Sequence, residues 1–298
     1  MERRILGYGG MRHLAVFLLP ATLVLGIVLV YPVLYDTFIS FFHYSLLMKY
    51  LNRWVGLDNY IQMLTSRSFW YAAWISGYFT VVSVGGELVI GLFTALMLNR
   101  KFHGRAFVRS LVILPWALPT VVNGVMWRWI YDGNFGILNG VLYRLGLISH
   151  YHSWLASPFT ALNMIILADI WKNWGFFTIV LLGALQTIPD SYFEAAKIDG
   201  SGFWYTLWHI TIPLLKPAIL VSLVMRITQA FQVFDIVYMI TQGGPANGTQ
   251  TLSYYIFYNA FQRLQFGSAA TISVLMTGVT LVFALILIKI MYSEVEYM

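Results

Sequence analysis

The chain has 298 residues, of which 59% are hydrophobic and only 10% are charged. A soluble domain carries about 25% charged residues, so this composition excludes a water-soluble globule and indicates a protein whose solvent is lipid. The net charge of +6 is better explained by membrane-loop topology than by nucleic-acid binding. The absence of cysteine excludes disulfides, thiolate metal sites and cysteine nucleophiles.

Six segments are apolar over the length that a membrane-spanning helix needs, roughly 20 residues. They are residues 14–35, 71–97, 110–131, 159–184, 217–239 and 267–290. Runs of this length exclude the short strands of a membrane barrel. The first run is also too long for the apolar core of a signal peptide, so we expect it to be retained. The sequence therefore predicts an all-α integral membrane protein with six transmembrane helices.

The positions of Lys and Arg predict the orientation of these helices. If the N-terminus is cytoplasmic, ten Lys and Arg residues fall inside and six fall outside. The strongest single anchor is the cluster that contains Arg100, Lys101, Arg105 and Arg109. Both termini are then predicted to be cytoplasmic, and the three outer loops are 36–70, 132–158 and 240–266.

Predicted helix two carries a stripe of residues at four-residue spacing: Ser83, Glu87, Gly91 and Ala95. Small residues in such a stripe are typical of close packing between membrane helices. Glu87 is therefore predicted to be a hydrogen-bonded packing carboxylate, with a role in proton relay as the alternative.

Predicted helix three contains Pro115 and Pro119, and a kink is expected because proline removes a backbone hydrogen bond and clashes with the preceding turn. Asn123 follows on the same helix. A polar side chain inside a membrane helix is a functional candidate, so Asn123 is a candidate for lining a substrate path.

Predicted helix four contains a polar group of residues from Asp169 to Asn173. Asp169 and Lys172 are three residues apart, which predicts an ion pair along the helix. Trp171 and Asn173 are candidates for facing a solute path, where the indole could stack on a sugar ring.

The segment 186–217 is polar and separates helices four and five. Ser191 and Glu194 have the spacing of a capping box, in which the Glu194 side chain accepts from the Ser191 backbone N–H. The short helix that follows is predicted to run to about Asp199. Gly200 is predicted to end it, because a positive φ costs glycine little.

The rest of this segment predicts a second short helix and then the start of helix five. Residues 203–209 form an amphipathic pattern with two tryptophans, which is typical of a helix in the membrane interface. Pro213 and Pro217 are predicted to restart the chain as helix five, with Pro217 at a helix start, where proline is tolerated.

The same segment resembles the EAA loop of ABC importer permeases. The resemblance rests on Glu194, Ala195, Ala196, Gly200, Ile210 and Pro213, which keep the order and spacing of that loop over about twenty residues. Asp199 and Pro217 add a likeness to the sugar-importing, maltose-type branch. The chain departs conservatively at Ile212, where the family usually has Leu.

This resemblance implies that the whole chain, 1–298, is one transmembrane domain of a prokaryotic inner-membrane importer. The segment 186–217 would couple to an ATP-hydrolysing subunit, with Glu194 and Asp199 in contact and Gly200 permitting the bend. The implied partners are a second permease chain of different sequence, two ATP-binding subunits, an extracytoplasmic solute-binding protein and a sugar or polyol substrate.

The chain itself has no phosphate-binding loop, since that motif requires a Gly-Lys pair and no glycine here precedes lysine. ATP and Mg²⁺ are therefore expected in partner subunits, and the chain is expected to bind no cofactor or metal and to catalyse no reaction.

Predicted helix five is the richest in polar residues. At 100° per residue, one face contains Ser222, Arg226 and Gln229, and another contains Thr228, Gln232 and Asp235. Amide and carboxylate groups suit a hydroxyl-rich solute, so Gln229, Gln232 and Asp235 are predicted to line a sugar pathway. Hydrogen bonding between helices is the alternative for each. Arg226 is predicted to pair with a carboxylate of another helix.

Two other functional classes remain as alternatives. An ion-gradient-driven transporter could use Glu87, Asp169 and Asp235 as a relay, but such proteins often show inverted repeats, which this sequence lacks. A membrane enzyme would need clustered carboxylates or a metal motif, and we find neither.

Overall fold

The computed structural model describes residues 18–295. Within that range five helices are long and apolar enough to cross a membrane, and a sixth span results if one sharply bent helix pair is counted as a single crossing. The predominantly helical membrane fold is therefore confirmed. In chain order the helices are α1 (Leu18–Ser40), α2 (Asp58–Thr65), α3 (Arg67–Asn99), α4 (Arg105–Ala117), α5 (Thr120–Ile130), α6 (Ile137–Arg144), α7 (Pro158–Leu185), α8 (Asp190–Ile198), α9 (Phe203–Phe231), α10 (Asp235–Ile240), α11 (Leu252–Phe257) and α12 (Phe266–Val295).

The chain forms two compact units. The first comprises residues up to Ser66 together with Ile256–Met276, and the second comprises Arg67–Tyr255 together with the residues from Thr277 onward. Residues 14–17 of the first predicted span lie outside the described residues. The described part of that span continues to Ser40, beyond the predicted end at residue 35, and contains a π turn over Gly26–Val30.

In the first unit, a loop rich in aromatic and aliphatic residues follows α1 and is held by backbone pairing. It contains a two-residue hairpin, β1 (Phe42–His43) with β2 (Arg53–Trp54), which is a small departure from the all-α prediction. The buried Asn59 side chain donates to the carbonyls of Ser40 and Phe42, both at 2.8 Å. The first bond satisfies a carbonyl that the end of α1 leaves free, and the second ties α2 to β1.

In the second unit, α3 and α7 are the two long helices at the centre. The predicted stripe of α3 is buried throughout, at Ser83, Glu87, Gly91 and Ala95. A Cβ added at Gly91 would lie only 2.5 Å from the Cβ of Phe177 on α7. The small residues therefore allow close approach of the two helices, as the sequence predicts.

Predicted helix three, 110–131, is wrong as a single kinked helix. It consists of α4 and α5, which meet at an angle of 94°. Leu118 and Pro119 between them have extended backbone, each with ψ 137°. The residue before a proline is driven out of the helical region, so Pro119 ends α4 completely rather than bending it.

The predicted start of helix five at residue 217 is also wrong. The segment 203–209 is not a separate helix but the beginning of α9, which runs without interruption to Phe231. A π turn over Leu207–Thr211 widens the helix just before Pro213. This wider turn accommodates a residue that lacks an N–H and crowds the preceding turn, so Pro213 is tolerated inside the helix. Pro217 also lies inside the helix, about one turn further along.

The predicted end of helix five at residue 239 is corrected as well. α9 ends at Phe231, Gln232 leaves the helical conformation, and a new helix, α10, begins at Asp235. The freed carbonyl of Val233 accepts a hydrogen bond from the Thr251 hydroxyl at 3.0 Å. Gln232 and Asp235 therefore do not share a face of one continuous helix with Thr228.

Candidate functional sites

A cavity of about 330 Å³ lies in the second unit where two helical segments are interrupted. We call it the polar cavity. Its lining residues are Trp116, Thr120, Asp169, Lys172, Asn173, Arg226, Gln229, Ala230, Gln232, Val233, Phe234 and Asp235. They come from the end of α4, the start of α5, the middle of α7, the end of α9 and the start of α10. Irregular backbone among membrane helices is tolerated where it lines a cavity, and such breaks commonly form solute sites.

One wall of the polar cavity is supported by a buried charge cluster, formed by Glu87, Asp169 and Arg226. The Arg226 guanidinium donates from Nε to Glu87 Oε2 at 2.8 Å and from Nη2 to Glu87 Oε1 at 2.7 Å. Nη2 also approaches Asp169 Oδ2 at 3.2 Å. The cluster thus ties together α3, α7 and α9, and the predicted pairing of Arg226 with a carboxylate of another helix is confirmed.

The cluster fits the rule that buried charges must be paired. The Glu87 side chain is fully buried, and both of its oxygens accept from one guanidinium. Such a two-point pair offsets part of the large cost of taking the charges out of water. Glu87 is therefore the hydrogen-bonded packing carboxylate that the sequence predicts.

The predicted Asp169–Lys172 ion pair is wrong. Within residues 18–295, the salt bridge of Asp169 is made to Arg226, and its other oxygen accepts from the Asn173 amide at 2.8 Å. Spacing along one helix could not reveal a stronger partner on α9. Lys172 instead lines the polar cavity, close enough to the cluster to interact electrostatically with Asp169.

The cluster also orients two amides at the cavity wall. Arg226 Nη1 donates to Gln229 Oε1 at 3.1 Å, which leaves the Gln229 NH₂ group available as a donor. Asn173 donates from Nδ2 to Asp169, which leaves its carbonyl oxygen available as an acceptor. Fixed donors and acceptors of this kind are what a cavity needs in order to recognise a polar, uncharged solute.

The six candidates predicted from sequence for a solute path separate into two groups. Gln229, Gln232, Asp235 and Asn173 come together in the lining of the polar cavity. Asn123 is fully buried beside α7, where its amide is 3.4 Å from the carbonyl of Ala168, and the Trp171 ring packs edge-to-face on Trp127. Neither Asn123 nor Trp171 is among the residues that line the cavity.

The lining also contains residues that the sequence does not indicate for a solute path, among them Trp116, Thr120, Lys172 and Phe234. Trp116 and Thr120 flank Pro119, so reading that proline as a full break would have indicated them. Phe234 lies between Gln232 and Asp235, and its ring stacks on Tyr238 with centroids 5.4 Å apart. Phe234 lies in the interruption between α9 and α10, and its ring contributes to the cavity wall from there.

The second candidate site is α8, within the segment that resembles a coupling loop. The predicted capping box is wrong: α8 begins at Asp190, one residue before Ser191, and its N-cap is Pro189, with no side-chain capping bond. The aspartate in the first turn stabilises the helix start through the helix dipole instead. Glu194 is consequently free of that local role, and its side chain is exposed.

The end of α8 agrees with the prediction. Gly200 has φ +74°, the Ser201 N–H donates to Ala196 O at 2.9 Å, and the Gly200 N–H donates to Lys197 O at 3.1 Å. This pair of bonds around a left-handed residue is the Schellman motif, which satisfies the last carbonyls of a helix. The helix and bend are therefore stable local features.

The two faces of α8 have different surroundings. Its inner face, which includes Phe193 and Lys197, lines a cavity of about 740 Å³ together with the end of α3 and the start of α9. Its outer face exposes Glu194, Ala195 and Ile198, and Ile198 is 86% exposed. A short helix that presents an exposed isoleucine beside an exposed carboxylate is suited to contact with another protein.

Comparison with known proteins shows the family to which the chain belongs. Residues 87–294 match the family described as "Binding-protein-dependent transport system inner membrane component". The chain is 36% identical to the trehalose/maltose transport system permease protein MalF of Thermococcus litoralis, over 92% of this chain and 91% of that protein. It is 38% identical to the sulfoquinovosyl glycerol transport system permease protein SmoG of Agrobacterium fabrum, over 96% and 92% of the two chains.

A solved structure shares the fold. A chain of a bacterial ABC transporter involved in the import of the acidic polysaccharide alginate superposes with a TM-score of 0.80 at 24% identity, covering 94% of this chain and 95% of that one. The family match and the sequence relatives favour the ATP-driven importer over the ion-gradient alternative. The chain belongs to the family of binding-protein-dependent transport system inner membrane components, the non-catalytic, multi-pass permease subunits of ABC importers.

Proposed function

We propose that this permease carries a carbohydrate or a related polyhydroxyl solute and that the polar cavity is part of its path. The observation that carries the proposal is the juxtaposition of Gln229, Gln232, Asp235 and Asn173 at one cavity between broken helices. Two relatives more than 35% identical to the chain are named for the transport of trehalose and maltose and of sulfoquinovosyl glycerol, all of which are sugars or glycosides.

The chemistry of the cavity supports this substrate class. A sugar presents many hydroxyls, each of which can donate and accept, and it presents apolar C–H faces. The cavity offers the Gln229 amide and the Lys172 ammonium as donors, the Asp235 carboxylate as an acceptor, and the rings of Trp116 and Phe234 as flat apolar surfaces. Solute sites commonly combine aromatic walls with a few fixed polar groups.

We also propose that α8 and the chain that follows it, within 186–217, couple the permease to its ATPase. Glu194, Ala195 and Asp199 lie on the exposed surface, Ala196 is buried on the inner side, and Gly200 forms the bend. Ile210 and Pro213, which complete the resemblance, lie in the first turns of α9. A force applied to α8 would therefore pass directly into α9.

The proposed topology is a single domain, 1–298, that crosses the membrane six times, with α4 and α5 counted as one crossing. Its N- and C-termini and the segment 186–217 are cytoplasmic. Sixteen Lys and Arg residues lie in loops or at helix ends, and in this topology ten of them are cytoplasmic, in accord with the positive-inside rule. In this orientation, the exposed face of α8 faces the compartment that contains ATP.

The proposed assembly follows from the same argument. The chain would form half of a translocation pathway with a second permease chain of different sequence, and each permease would engage one of two ATP-binding subunits. An extracytoplasmic solute-binding protein would deliver the substrate, and ATP and Mg²⁺ would be bound by the ATPase subunits alone.

Substitution at the polar cavity tests the transport path. We expect Q232A combined with Asp235→Asn to lower substrate uptake at least about tenfold, since each buried hydrogen bond to solute contributes on the order of 1 kcal/mol or more. Basal ATPase activity of the reconstituted complex should be unchanged. The substrate for the assay is the ligand that the co-purified solute-binding protein retains.

The matched control is Q62A, which removes an exposed glutamine on α2 far along the chain from the lining residues. It should leave uptake and ATPase activity at the wild-type level. Uptake by Q232A/D235N equal to that by Q62A would show that the polar cavity is not on the path.

A second substitution tests coupling. We expect Glu194→Ala to weaken binding of the ATPase subunit and to reduce substrate-stimulated ATP hydrolysis about tenfold, because an exposed carboxylate contributes a charged contact at the interface. The thermal stability of the permease alone should not change. Asp58→Ala, which removes an exposed carboxylate from α2, is the control. Equal pull-down of the ATPase by both variants would contradict the assignment.

A further inference from the structure

Two arginines at the start of α4 converge on one neutral side chain. With the oxygen of its amide facing them, Gln186 accepts from Arg105 Nη2 at 2.9 Å and from Arg109 Nη2 at 2.7 Å. Gln186 is the C-cap of α7, so both guanidiniums lie at the negative end of that helix. We call Arg105, Arg109 and Gln186 the di-arginine site.

The charges of this site are not balanced by the described part of the chain. Among residues 18–295, neither guanidinium has a carboxylate oxygen within 4.0 Å, and the buried Nε atoms of both arginines have no hydrogen-bond partner. The α7 dipole amounts to about half an elementary charge, which is too little to compensate two full positive charges. An anion is therefore the missing component of the site.

An apolar groove opens beside the di-arginine site. It has a volume of about 240 Å³, and Arg109 and Gln186 form its polar end. The rest of the groove is lined by Leu98, Val112, Ile113, Thr178, Ile179, Leu182 and Gly183 from α3, α4 and α7. Ile179 is 40% exposed, so the groove is open at the surface of the helices.

A ligand that fills both parts must be anionic at one end and hydrocarbon along its length. We propose that the di-arginine site binds the phosphate of an anionic phospholipid and that one acyl chain of that lipid occupies the groove. Guanidinium groups bind phosphate oxygens in a planar, two-point geometry, and basic pockets between membrane helices recognise lipid headgroups in this way.

The neighbouring surface of α4 favours a lipid over a soluble anion or a protein carboxylate. Phe107, Leu111 and Leu114 lie along one side of this helix, and all three are at least half exposed. This apolar surface begins within one turn of the two arginines, so the charged groups lie at the border between a hydrocarbon-facing surface and a polar chain end. That is the position of the headgroup phosphates along a membrane helix.

The test is a measurement of phospholipid binding to the assembled transporter in mild detergent. Native mass spectrometry would follow the retention of phosphatidylglycerol and, separately, of phosphatidylcholine. We expect wild-type protein to bind phosphatidylglycerol selectively. R109Q should weaken this binding about fivefold and R105Q/R109Q should weaken it further, because each basic side chain near the surface contributes about that factor.

The control variant is R53Q/R144Q, which removes two exposed guanidiniums from β2 and α6. It carries the same net charge as R105Q/R109Q and should retain phosphatidylglycerol like the wild type. Equal retention by the two double variants would overturn the proposal. Selective loss of the ATPase subunit from R105Q/R109Q, with lipid retention unchanged, would overturn it in favour of a protein contact.

Two measurements on wild-type protein do not depend on variants that might not fold. Phosphatidylglycerol with a photoreactive acyl chain should label the α7 peptide that contains Ile179 and Leu182, and the matching phosphatidylcholine should label it at least fivefold less. Equal labelling by both lipids would overturn the proposal. Complete displacement of the labelled lipid by an equal concentration of inorganic phosphate would likewise overturn it, because the groove would then contribute nothing.

Discussion

The buried charge cluster and α8 are two polar features of a largely apolar chain, and their polar side chains have opposite surroundings. In the cluster, Glu87, Asp169 and Arg226 are buried, lie on three different helices and pair with one another. On α8, Glu194 is exposed and has no side-chain role in capping its own helix. Polar groups that saturate each other hold a structure together, whereas polar groups left open at a surface are available to a partner.

This difference predicts where substitutions will damage the protein. Changes in the cluster should lower the stability of the permease itself, with function lost as a consequence. Changes on α8 should leave the helices intact and alter only the interaction with the ATPase. The size of the stability change therefore distinguishes the two regions.

The largest effect is expected for Arg226→Met. Removing the guanidinium leaves Glu87 as a buried charge without its partner, which costs about 3–5 kcal/mol. The permease should show a large fall in melting temperature and in the yield of monodisperse protein. Thermal unfolding in detergent, followed by circular dichroism, measures the change.

Two further variants complete this test of the interior. Arg53→Gln, on the exposed β2, should unfold like the wild type. The double variant Glu87→Gln/Arg226→Met removes both charges. It should recover most of the stability that R226M loses, because no unpaired buried carboxylate remains on α3. A single R226M variant as stable as R53Q would mean that the cluster does not hold the three helices together.

An intermediate effect is expected at the contact between α3 and α7. Gly91→Ala places a methyl group 2.5 Å from Phe177 Cβ and 3.1 Å from the backbone N of Thr178, so the helices must separate at a cost of about 1–3 kcal/mol. Gly85→Ala, on the same helix, meets no atom within 4 Å and should be neutral or slightly stabilising. Comparing their melting temperatures checks the packing, and equal values would refute it.

The smallest effect is expected at the bend after α8. Gly200→Ala must adopt φ +74°, which costs roughly 1 kcal/mol, whereas Gly202→Ala, two residues on at φ −74°, meets no strain or steric contact. Limited proteolysis should show faster cleavage near residue 200 in G200A alone, with the melting temperature of the permease unchanged. A global loss of stability in G200A would mean that α8 is part of the core.

Much of the fold could be predicted because it depends on local chemistry. Length and apolar composition define α3, α7 and α12, whose observed bounds differ from the predicted ones by only a few residues at most ends. The bend at Gly200 follows from a single residue type. The interruptions at Leu118–Pro119 and at Gln232 are harder to predict from sequence, because the segments that contain them are apolar enough to resemble continuous membrane spans.

The candidate sites could be predicted only where the residues that interact with one another are close in sequence. Gln229, Gln232 and Asp235 were selected by residue type, but the continuous helix assumed for them does not exist. The Thr251 hydroxyl that stabilises the break lies 18 residues from Val233, and Glu87 lies 139 residues from Arg226. Sequence periodicity does not reveal such distant pairs, so it predicts Lys172 rather than Arg226 as the partner of Asp169.

The continuity of α9 has a mechanical consequence. This helix starts at Phe203, just beyond the bend after α8, and it reaches Gln229 at the polar cavity without a loop in between. At a rise of 1.5 Å per residue, the part of the helix from Phe203 to Gln229 is about 40 Å long, and its two ends lie at the two candidate sites. A tilt imposed at the α8 end must displace the Gln229 amide at the other end. In the proposed coupling, a movement of the ATPase subunit at α8 would reach the interior of the permease through one helix.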